Sequence, residues 1–371
     1  MKYYIIAGEA SGDLHGSNLM KALYKEDPTA EIHFWGGDLM QKAGGNLVKH
    51  YRDLAFMGFA EVVFNLKTIL SNIGFCKKDI LKFKPDVLIF IDYPGFNMRI
   101  AKWAKRLGYK TYYYISPQIW AWKENRITAI KRDIDKMFVI LPFEKDFYEK
   151  KHNFPVEFVG HPLIDAIHNQ SAFDEKKFKE ENNLSDKPII AILPGSRKQE
   201  ITKMLQVMLS VVPDFKEYQF VIAGAPSQDY QFYEQFIDHK NITFVSNKTY
   251  DLLRSSTAAL VTSGTATLET ALFKIPEVVC YKANAISYQI AKRIITLKYI
   301  SLVNLIMDEP IVTELIQDDC STKRIKEELN KILEPTYRAK VLTKYDELES
   351  KLGGLGASEK TAHLIVEALK N

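Results

Sequence analysis

Short runs of apolar residues alternate with segments of helical periodicity along most of the chain. Many runs are unbroken stretches of Val, Ile, Leu and Phe, which is typical of parallel strands buried on both faces. The predicted strands are Tyr3–Ala7, Ile32–Trp35, Val87–Asp92, Thr111–Ser116, Met137–Leu141, Glu157–Gly160, Ile189–Leu193, Gln219–Ala223, Thr243–Val245, Ala258–Val261 and Val278–Tyr281. Helical periodicity lies between them, for example over Gly16–Lys25, Arg99–Leu107 and Thr265–Phe273. This repetition predicts an α/β fold of doubly wound sheets.

A polar stretch divides the predicted strands into two series. Residues 168–187 are charged and poor in aliphatic side chains, so we place a domain connection there. A length of 371 residues also favours about two domains. We expect Rossmann-like domains over 1–167 and 168–345 with a cleft between them, and a C-terminal helix within 346–371 that packs back on the first domain. The loops after the strands then share one edge of each sheet.

The composition excludes several classes of protein. The three cysteines are far apart and form no C-x-x-C pair, which argues against a disulfide framework or a zinc site. No apolar run reaches the roughly 18 residues that span a bilayer. A net charge of +4 is too small for a nucleic-acid-binding protein, although the positive excess of residues 1–165 suits an anionic membrane surface. We therefore expect a cytoplasmic protein that binds no nucleic acid.

The first candidate site follows the first predicted strand, in "AGEASGDLHGSNL". The spacing of Gly8, Gly12 and Gly16 does not match the dinucleotide fingerprint G-x-G-x-x-G. Glu9 and Asp13 would repel a pyrophosphate, but they accept hydrogen bonds from hydroxyl groups. We predict a loop that binds a sugar-like ligand. The alternative is a plain turn with an acid near the start of a helix.

A second candidate is Asp92, in "VLIFIDYPGFN". The residue follows five apolar positions and comes at the carboxyl end of a buried strand, where open α/β sheets bind ligands. A carboxylate at that point is a reasonable general base for a hydroxyl nucleophile. The alternative is an Asx turn that ends the strand.

Two loops in the second half of the chain suggest an anion site, "ILPGSRKQEI" and "VTSGTATLET". Each joins a strand to the amino end of a helix, and Arg197 adds a planar cation that suits phosphate. Glu269, one turn into the second helix, is placed to accept hydrogen bonds from ribose hydroxyls. The residues expected to contact a nucleotide diphosphate are Gly195, Ser196, Arg197, Ser263, Gly264, Thr265 and Glu269.

Six short motifs together resemble the lipid-A-disaccharide synthase family. They are "GEASGDLHG", "IDYPGFN", "SPQIWAWK", "VGHPL", "LPGSRKQEI" and "SGTATLET", in this order and over nearly the whole chain. The resemblance implies a glycosyltransferase-B fold and an inverting reaction. UDP-2,3-diacylglucosamine and 2,3-diacylglucosamine 1-phosphate would give a β-1,6-linked disaccharide and UDP. It implies neither a cofactor nor a metal.

The resemblance also assigns roles to single residues. Asp92 matches the general base, Glu9 an essential acid, and Arg197 the arginine of P-G-S-R. Asn304 and Gln317 match polar positions on the donor side. The acceptor loop would comprise Ser11, Gly12, Asp13 and His15. The chain departs from the family pattern at Tyr93 and Gly95, where a small residue and an aspartate are usual.

Acylated substrates imply contact with a membrane, and hence a peripheral association with the inner membrane. The segment "LAFMGFAEVVFNLKTILSNIGF" (Leu54–Phe75) is apolar enough to accept acyl chains or to lie at a bilayer surface. Trp120 and Trp122 next to basic residues suit an interface with anionic headgroups. The alternative is that these side chains belong to the protein core.

Other functions remain open at this level. One is a different UDP-sugar glycosyltransferase or a UDP-sugar 2-epimerase of the same fold, which would need no apolar acceptor surface. Another is a protein that binds lipid or nucleotide without catalysis, which would tolerate the loss of Asp92. A homo-oligomer is equally compatible with the sequence.

Overall fold

The computed structural model describes residues 1–54, 66–170, 172–225, 228–237, 241–283 and 297–370. The chain folds into two compact units. Unit 1 combines Met1–Asn169 with Leu352–Asn371, and unit 2 is the intervening segment Gln170–Lys351. Each unit is built on its own parallel sheet with helices connecting the strands, which confirms the predicted fold class.

Unit 1 has strands β1 (Lys2–Ala7), β2 (Glu31–Gly36), β3 (Asn46–His50), β4 (Val87–Ile91), β5 (Lys110–Tyr114), β6 (Lys136–Val139) and β7 (Glu157–Phe158). Within the described residues these form one sheet in the order β3-β2-β1-β4-β5-β6-β7, with every pair parallel. Its helices are α1 (Ala10–Glu26), α2 (Asp38–Ala43), α3 (Leu66–Phe83), α4 (Pro94–Arg106), α5 (Ile127–Asp133), α6 (Pro142–Asp146), α7 (Pro162–His168) and α16 (Ala357–Lys370). Single turns of 3₁₀ or π helix occur at Tyr51–Leu54, Glu124–Arg126 and Phe147–Lys151.

Unit 2 has strands β8 (Ile189–Leu193), β9 (Gln219–Gly224), β10 (Ile242–Ser246), β11 (Ser256–Thr262), β12 (Glu277–Tyr281) and β13 (Thr313–Ile316). They form a parallel sheet in the order β10-β9-β8-β11-β12-β13 in the described part of the chain. Its helices are α8 (Glu175–Glu181), α9 (Lys198–Leu209), α10 (Tyr230–Glu234), α11 (Thr249–Arg254), α12 (Thr265–Leu272), α13 (Leu302–Met307), α14 (Thr322–Leu333) and α15 (Pro335–Lys351). Short 3₁₀ turns lie at Val212–Asp214 and Gln317–Asp319.

The central strands are buried on both faces, which explains their unbroken apolar sequences. In β8, Ile190 and Ile192 belong to one hydrophobic cluster, while Ile189, Ala191 and Leu193 belong to the cluster on the other face. Because successive side chains of a strand point to opposite faces, both sets must be apolar. Full burial of one such side chain contributes roughly 1.5–3 kcal/mol. The strand therefore holds the loop that follows it in a fixed place.

Two strands escaped the sequence prediction, β3 and β13. Both lie at an edge of their sheet, and several of their residues are partly exposed. An edge strand packs on fewer neighbours, so its sequence needs fewer apolar residues than a central strand. The continuous apolar pattern that identified the other strands is therefore missing here.

Helix α1 and the predicted connection also differ from expectation. The helix begins at Ala10, six residues before the predicted start at Gly16. The stretch 168–187 contains a helix, α8, and the Asp174 side chain caps it by accepting a hydrogen bond from the Lys177 N–H at 3.1 Å. A capped amphipathic helix of this length has too few apolar residues to stand out from a polar linker.

Candidate active site

The strand order reverses between β1 and β4 in unit 1, and between β8 and β11 in unit 2. At such a point the connections leave toward opposite faces of the sheet, and the carboxyl ends of the two strands border a crevice. Glu9 follows β1 and Asp92 follows β4. In unit 2, Arg197 follows β8 and Gly264 follows β11. All four residues therefore lie where doubly wound sheets bind their ligands.

Asp92 occupies a strained turn at the start of α4. Asp92 and Tyr93 both have left-handed backbone conformations, with φ of 44° and 48°. This conformation costs roughly 1–2 kcal/mol for a residue with a side chain. The carbonyl of Asp92 accepts hydrogen bonds from Asn97 Nδ2 at 2.7 Å and from the Tyr113 hydroxyl at 2.6 Å. These two bonds hold the turn, and strain maintained in this way is typical of functional sites.

The carboxyl group of Asp92 has an altered affinity for protons. Burial, together with the smaller effect of the negative charge of Glu9, raises its pKa to about 6. A hydrogen bond from the Tyr93 backbone partly opposes the shift. A carboxyl group with this pKa is still mostly ionised at neutral pH and is a stronger base than an ordinary aspartate. Sequence reasoning identified the residue, but only the structure shows its environment.

Gly8 allows the segments that follow β1 and β4 to approach each other. A Cβ atom at position 8 would lie 2.4 Å from ring atoms of Tyr93, so no side chain fits there without displacing the ring. Glu9 is the N-cap residue of α1 and is exposed. Its proximity to Asp92 is the reason for the Coulomb effect on the Asp92 pKa.

The segment predicted as an acceptor loop is not a loop, because Ser11, Gly12, Asp13 and His15 form the first turns of α1. Glycines four residues apart lie on one face of a helix. A Cβ at Gly12 would lie 3.1 Å from the Ala7 Cβ, and one at Gly16 would lie 2.6 Å from the Met40 sulfur. The glycine spacing therefore reflects close packing of α1 against β1 and α2, not a flexible loop.

The side chains of Asp13 and His15 point into unit 1. Asp13 is buried, and its carboxylate accepts hydrogen bonds from the N–H groups of Gly37, Leu39 and Met40 at 2.7–3.0 Å. It therefore caps α2 and does not present its oxygens to a sugar. Burial lowers the pKa of His15 to about 4, so its imidazole is neutral near pH 7. Of this set, Ser11 is exposed.

Unit 2 contains a cavity of about 270 Å³ at its switch point. Two predicted loops form much of its wall, those after β8 and β11. The lining residues are Leu193, Pro194, Gly195, Ser196, Glu200, Ala223, Gly224, Ala225, Thr249, Thr262, Ser263, Gly264, Thr265, Ala266 and Glu269. Six of the seven residues predicted to contact a nucleotide are among them.

The seventh, Arg197, is the N-cap residue of α9 and is exposed. In the part of the chain that the structure describes, its guanidinium forms no ion pair with a carboxylate. Gly195 precedes it with a φ of 102°, a conformation that favours glycine. The turn thus brings the positive end of a twelve-residue helix and a permanent cation to one side of the cavity.

The loop after β11 is only partly as predicted. The Ser263 hydroxyl donates its one hydrogen to the Ile300 carbonyl at 2.9 Å, so it has no hydrogen left for a phosphate oxygen. Gly264 and Thr265 are exposed at the start of α12. The N–H groups of this helix start, rather than the Ser263 hydroxyl, are the donors that an anion would meet.

Glu269 lies in the cavity wall, one turn into α12. It accepts a hydrogen bond from the Tyr250 hydroxyl at 2.9 Å, and burial raises its pKa above the usual range. The bond to Tyr250 partly opposes this shift. A carboxylate has several acceptor positions, so it retains capacity for a hydroxyl pair after binding Tyr250.

Comparison with known proteins relates this arrangement to one family. The family model described as lipid-A-disaccharide synthetase matches residues 3–367. The lipid-A-disaccharide synthase of Syntrophus aciditrophicus is 39% identical over 374 residues, which are 99% of this chain and 97% of that protein. The chain belongs to the lipid-A-disaccharide synthase family. It is therefore a UDP-sugar glycosyltransferase of lipid A disaccharide formation, which confirms the resemblance seen in the motifs.

Solved structures agree with the fold of this family. The UDP-GlcNAc 2-epimerase of Methanocaldococcus jannaschii, solved with UDP-GlcNAc and UDP, has a TM-score of 0.67. It is 13% identical, over 99% of this chain and 100% of its own. The glycotransferase of kitacinnamycin also has a TM-score of 0.67, at 12% identity over 99% of both chains. At such identities the likeness concerns the glycosyltransferase-B fold alone.

Two positions that were matched to the family lie away from the cavity wall. Asn304 is buried, and its amide bonds to the backbone of Val312 in both directions and to the carboxylate of Glu314, at 2.9–3.0 Å. These bonds use both amide hydrogens, so the Asn304 amide has no hydrogen left for a ligand on the donor side. Gln317 accepts a hydrogen bond from the Ala283 N–H at 3.2 Å. Within the described residues, neither lines the cavity.

Sequence reasoning missed part of the cavity wall. Gly224, Ala225, Thr249 and Thr262 line it and were not predicted. A Cβ at Gly224 would lie 2.4 Å from the Phe244 ring, so this glycine allows close packing at the end of β9. For Gly224 and Ala225, the signal in the sequence was the change from a buried strand to small residues in "VIAGAPS".

The predicted membrane-facing residues of unit 1 differ in exposure. Leu70 and Phe75 on α3 are 57% and 47% exposed. Trp122 is 47% exposed, with Lys123 Nζ 4.1 Å from its ring centroid. Trp120 instead donates its indole N–H to the buried Glu144 carboxylate at 3.1 Å, so it does not fit the predicted interfacial role. Residues 55–65 of the apolar segment lie outside the described residues.

Among the residues that the structure describes, no three His, Cys, Asp or Glu side chains converge in the arrangement of a metal site. None of the described helices is both long enough and apolar enough to cross a membrane.

Proposed function

We propose that this family member transfers the diacylglucosaminyl group of UDP-2,3-diacylglucosamine to 2,3-diacylglucosamine 1-phosphate with inversion at C1. The family supports the lipid-sugar substrates. The observation that carries the inverting mechanism is Asp92, a carboxylate at the sheet's switch point with a pKa raised to about 6. One in-line displacement needs one base and no covalent intermediate on the enzyme.

Asp92 removes the proton of the acceptor 6-hydroxyl while the oxygen of that hydroxyl forms the new bond to C1 of the donor sugar. The bond between C1 and the β-phosphate oxygen breaks, and UDP leaves with the electron pair. Asn97 and Tyr113 act through the Asp92 carbonyl and position the carboxylate. Glu9 keeps the pKa of Asp92 high, which strengthens the base.

UDP occupies the cavity of unit 2 in this proposal. The turn Gly195–Arg197 and the start of α12 at Gly264–Thr265 offer N–H groups and a guanidinium to the diphosphate. The same groups stabilise the charge that develops on the leaving group. Glu269 accepts hydrogen bonds from the ribose hydroxyls, supported by its position in the cavity wall.

The decisive experiment measures UDP release from UDP-2,3-diacylglucosamine in detergent and EDTA, with and without the acceptor. We expect acceptor-dependent release of UDP, a β-linked product, and a rate at least about 100-fold lower in Asp92→Asn, the range of lost general-base catalysis. Asp86→Asn is the matched control, because Asp86 is an exposed aspartate at the opposite end of β4. It should retain wild-type activity.

Three results would contradict the proposal. Full activity in Asp92→Asn would move the base elsewhere, and an α-linked product would exclude a single inverting displacement. Epimerisation of a UDP-sugar without an acceptor would favour the 2-epimerase alternative.

Membrane contact is the second part of the proposal, because both substrates carry acyl chains. Leu70 lies in the first half of α3 and Phe75 near its middle, and both side chains are exposed. Exposed apolar side chains beside basic groups favour an interfacial position.

We expect Leu70→Glu and Phe75→Glu to reduce the fraction of protein that sediments with anionic vesicles. Leu107→Glu should not, because Leu107 is a similarly exposed leucine at the C-cap of α4. Equal sedimentation of all variants would argue against this surface.

A further inference from the structure

One carboxylate lies where the proposed diphosphate would bind. Glu200 Oε2 accepts a hydrogen bond from the Ser196 N–H at 3.2 Å. The same oxygen would lie 2.3 Å from a Cβ atom at Gly195, so the carboxylate rests directly on the turn. Glu200 also lines the cavity. The positive end of α9 is therefore occupied by an acid of the protein itself.

A plain helix cap does not account for this position. In a capping box the glutamate of the first turn bonds back to the N–H of the N-cap residue. The N-cap residue of α9 is Arg197, but Glu200 reaches one residue further, to the N–H of Ser196. The carboxylate therefore lies against the Gly195–Ser196 turn, and Glu200 is part of the cavity wall.

An anionic ligand cannot share this place with Glu200. The Ser196 N–H donates its hydrogen bond to Glu200 Oε2, and a phosphate oxygen that takes this hydrogen bond must replace the carboxylate oxygen. Two anions left at contact distance repel each other strongly in a partly buried site. Glu200 must therefore leave the turn before the diphosphate is fully bound.

We propose that Glu200 is a built-in competitor for the diphosphate site. It occupies the Gly195–Ser196 turn when the cavity is empty, and it returns when UDP leaves. Its effect is to weaken the binding of UDP and to speed product release. This inference rests on the proposed function, since it assumes that UDP binds in the cavity of unit 2.

The test measures the affinity of UDP for wild type, Glu200→Gln and Glu200→Ala by calorimetry at low salt. We expect both variants to bind UDP about tenfold more tightly, which corresponds to 1.4 kcal/mol. The gain should shrink in 1 M NaCl, because salt screens charges that solvent reaches. Uridine, which has no phosphate, should bind equally to all three proteins. Glu217→Gln is the matched control, since Glu217 is an exposed glutamate of unit 2 outside the cavity wall.

The outcomes separate the inference from the function on which it rests. If Glu200 contacts the ligand directly, both variants will bind UDP more weakly, and the inference is wrong. If wild type binds UDP and the Glu200 variants match Glu217→Gln, only the inference fails. If wild type does not bind UDP at millimolar concentration, the proposed function fails as well. Thermal melting of each variant identifies a loss of folding, which a change in uridine affinity would also reveal.

Discussion

Asp92 shows how a single residue can depend on neighbours that are distant in sequence. Its side chain is an ordinary aspartate, but burial and the charge of Glu9 raise its pKa to about 6. Its backbone is strained, and Asn97 and Tyr113 hold the strained turn in place. The position of the acid after a strand was predictable, whereas its basicity comes from burial and from the charge of Glu9 on another loop.

The raised pKa of Asp92 predicts the pH dependence of the reaction. A general base must be ionised, so kcat/KM should rise with pH through an apparent pKa near 6. Glu9→Gln removes a negative charge, which makes ionisation of Asp92 easier, and the midpoint should move to lower pH. It should remain above 3.8, because burial still raises the pKa. The measurement is the pH profile of kcat/KM for both proteins. An unchanged midpoint in the variant would exclude the coupling between Glu9 and Asp92.

Glu277 predicts a pH dependence of stability. Both of its carboxylate oxygens are buried, and within the described residues they accept no hydrogen bond. Burial raises its pKa well above 4.5. The folded state therefore holds this proton more tightly than the unfolded chain, and stability falls as the pH rises above 4.5.

Glu277→Gln should remove this dependence. The variant should become more stable than wild type as the pH rises toward 8, whereas the difference that depends on ionisation should vanish at pH 4. Thermal unfolding of both proteins between pH 4 and pH 8 measures the difference. A constant difference in stability across this range would contradict the assigned pKa shift.

At the scale of elements, glycines and one aspartate determine how α1 is packed. Gly12 and Gly16 let the helix approach β1 and α2 closely, and Asp13 caps α2 through three N–H groups. In the sequence analysis, the same residues had suggested a sugar-binding loop. Glycine and aspartate suit both a loop and a tightly packed helix, so composition alone does not separate the two.

Asp13→Asn should destabilise the fold. The amide has one acceptor oxygen, whereas the carboxylate uses both oxygens for three N–H groups. Loss of such buried, charge-assisted bonds should reduce the free energy of unfolding by about 1–3 kcal/mol. Urea denaturation of Asp13→Asn measures this, with the exposed Glu31→Gln as control. Unchanged stability together with weaker acceptor binding would restore the ligand-binding interpretation of Asp13.

At the scale of the whole molecule, the chain leaves unit 1 after Asn169 and returns to it at Leu352. The returning segment is anchored to the unit by hydrogen bonds. The Asp165 carboxylate accepts hydrogen bonds from the N–H groups of Gly356 and Ser358, at N···O distances of 2.7 and 3.0 Å. Several apolar residues of α16 are buried. Unit 1 therefore needs two segments that are separated by all of unit 2.

Removal of residues 352–371 should destabilise unit 1 selectively. Without α16, apolar residues of unit 1 lose their cover, and hydrogen exchange should accelerate in β1 and α1. The strands β8 and β11 should keep their protection, because unit 2 contains its own core. Hydrogen exchange with mass spectrometry compares the two proteins. Equal protection of unit 1 in both would show that α16 contributes little to its stability.

The sequence by itself determined the class of fold, the central strands and the family. These features depend on local patterns. A strand buried on both faces must be apolar throughout, and each of the six motifs is a short unbroken stretch of sequence. The positions of Asp92, Gly195 and Arg197 directly after buried strands were also predictable in this way, because these strands are recognisable from their apolar sequences.

Only the tertiary structure decided what the polar side chains do. Asp13 and Asn304 were predicted to serve ligands, but both bond to the protein's own backbone. The Ser263 hydroxyl likewise donates its hydrogen bond to a backbone carbonyl 37 residues away in the sequence. A hydrogen bond forms only between groups that the fold brings within about 3 Å of each other. The local sequence does not show which distant groups will come that close.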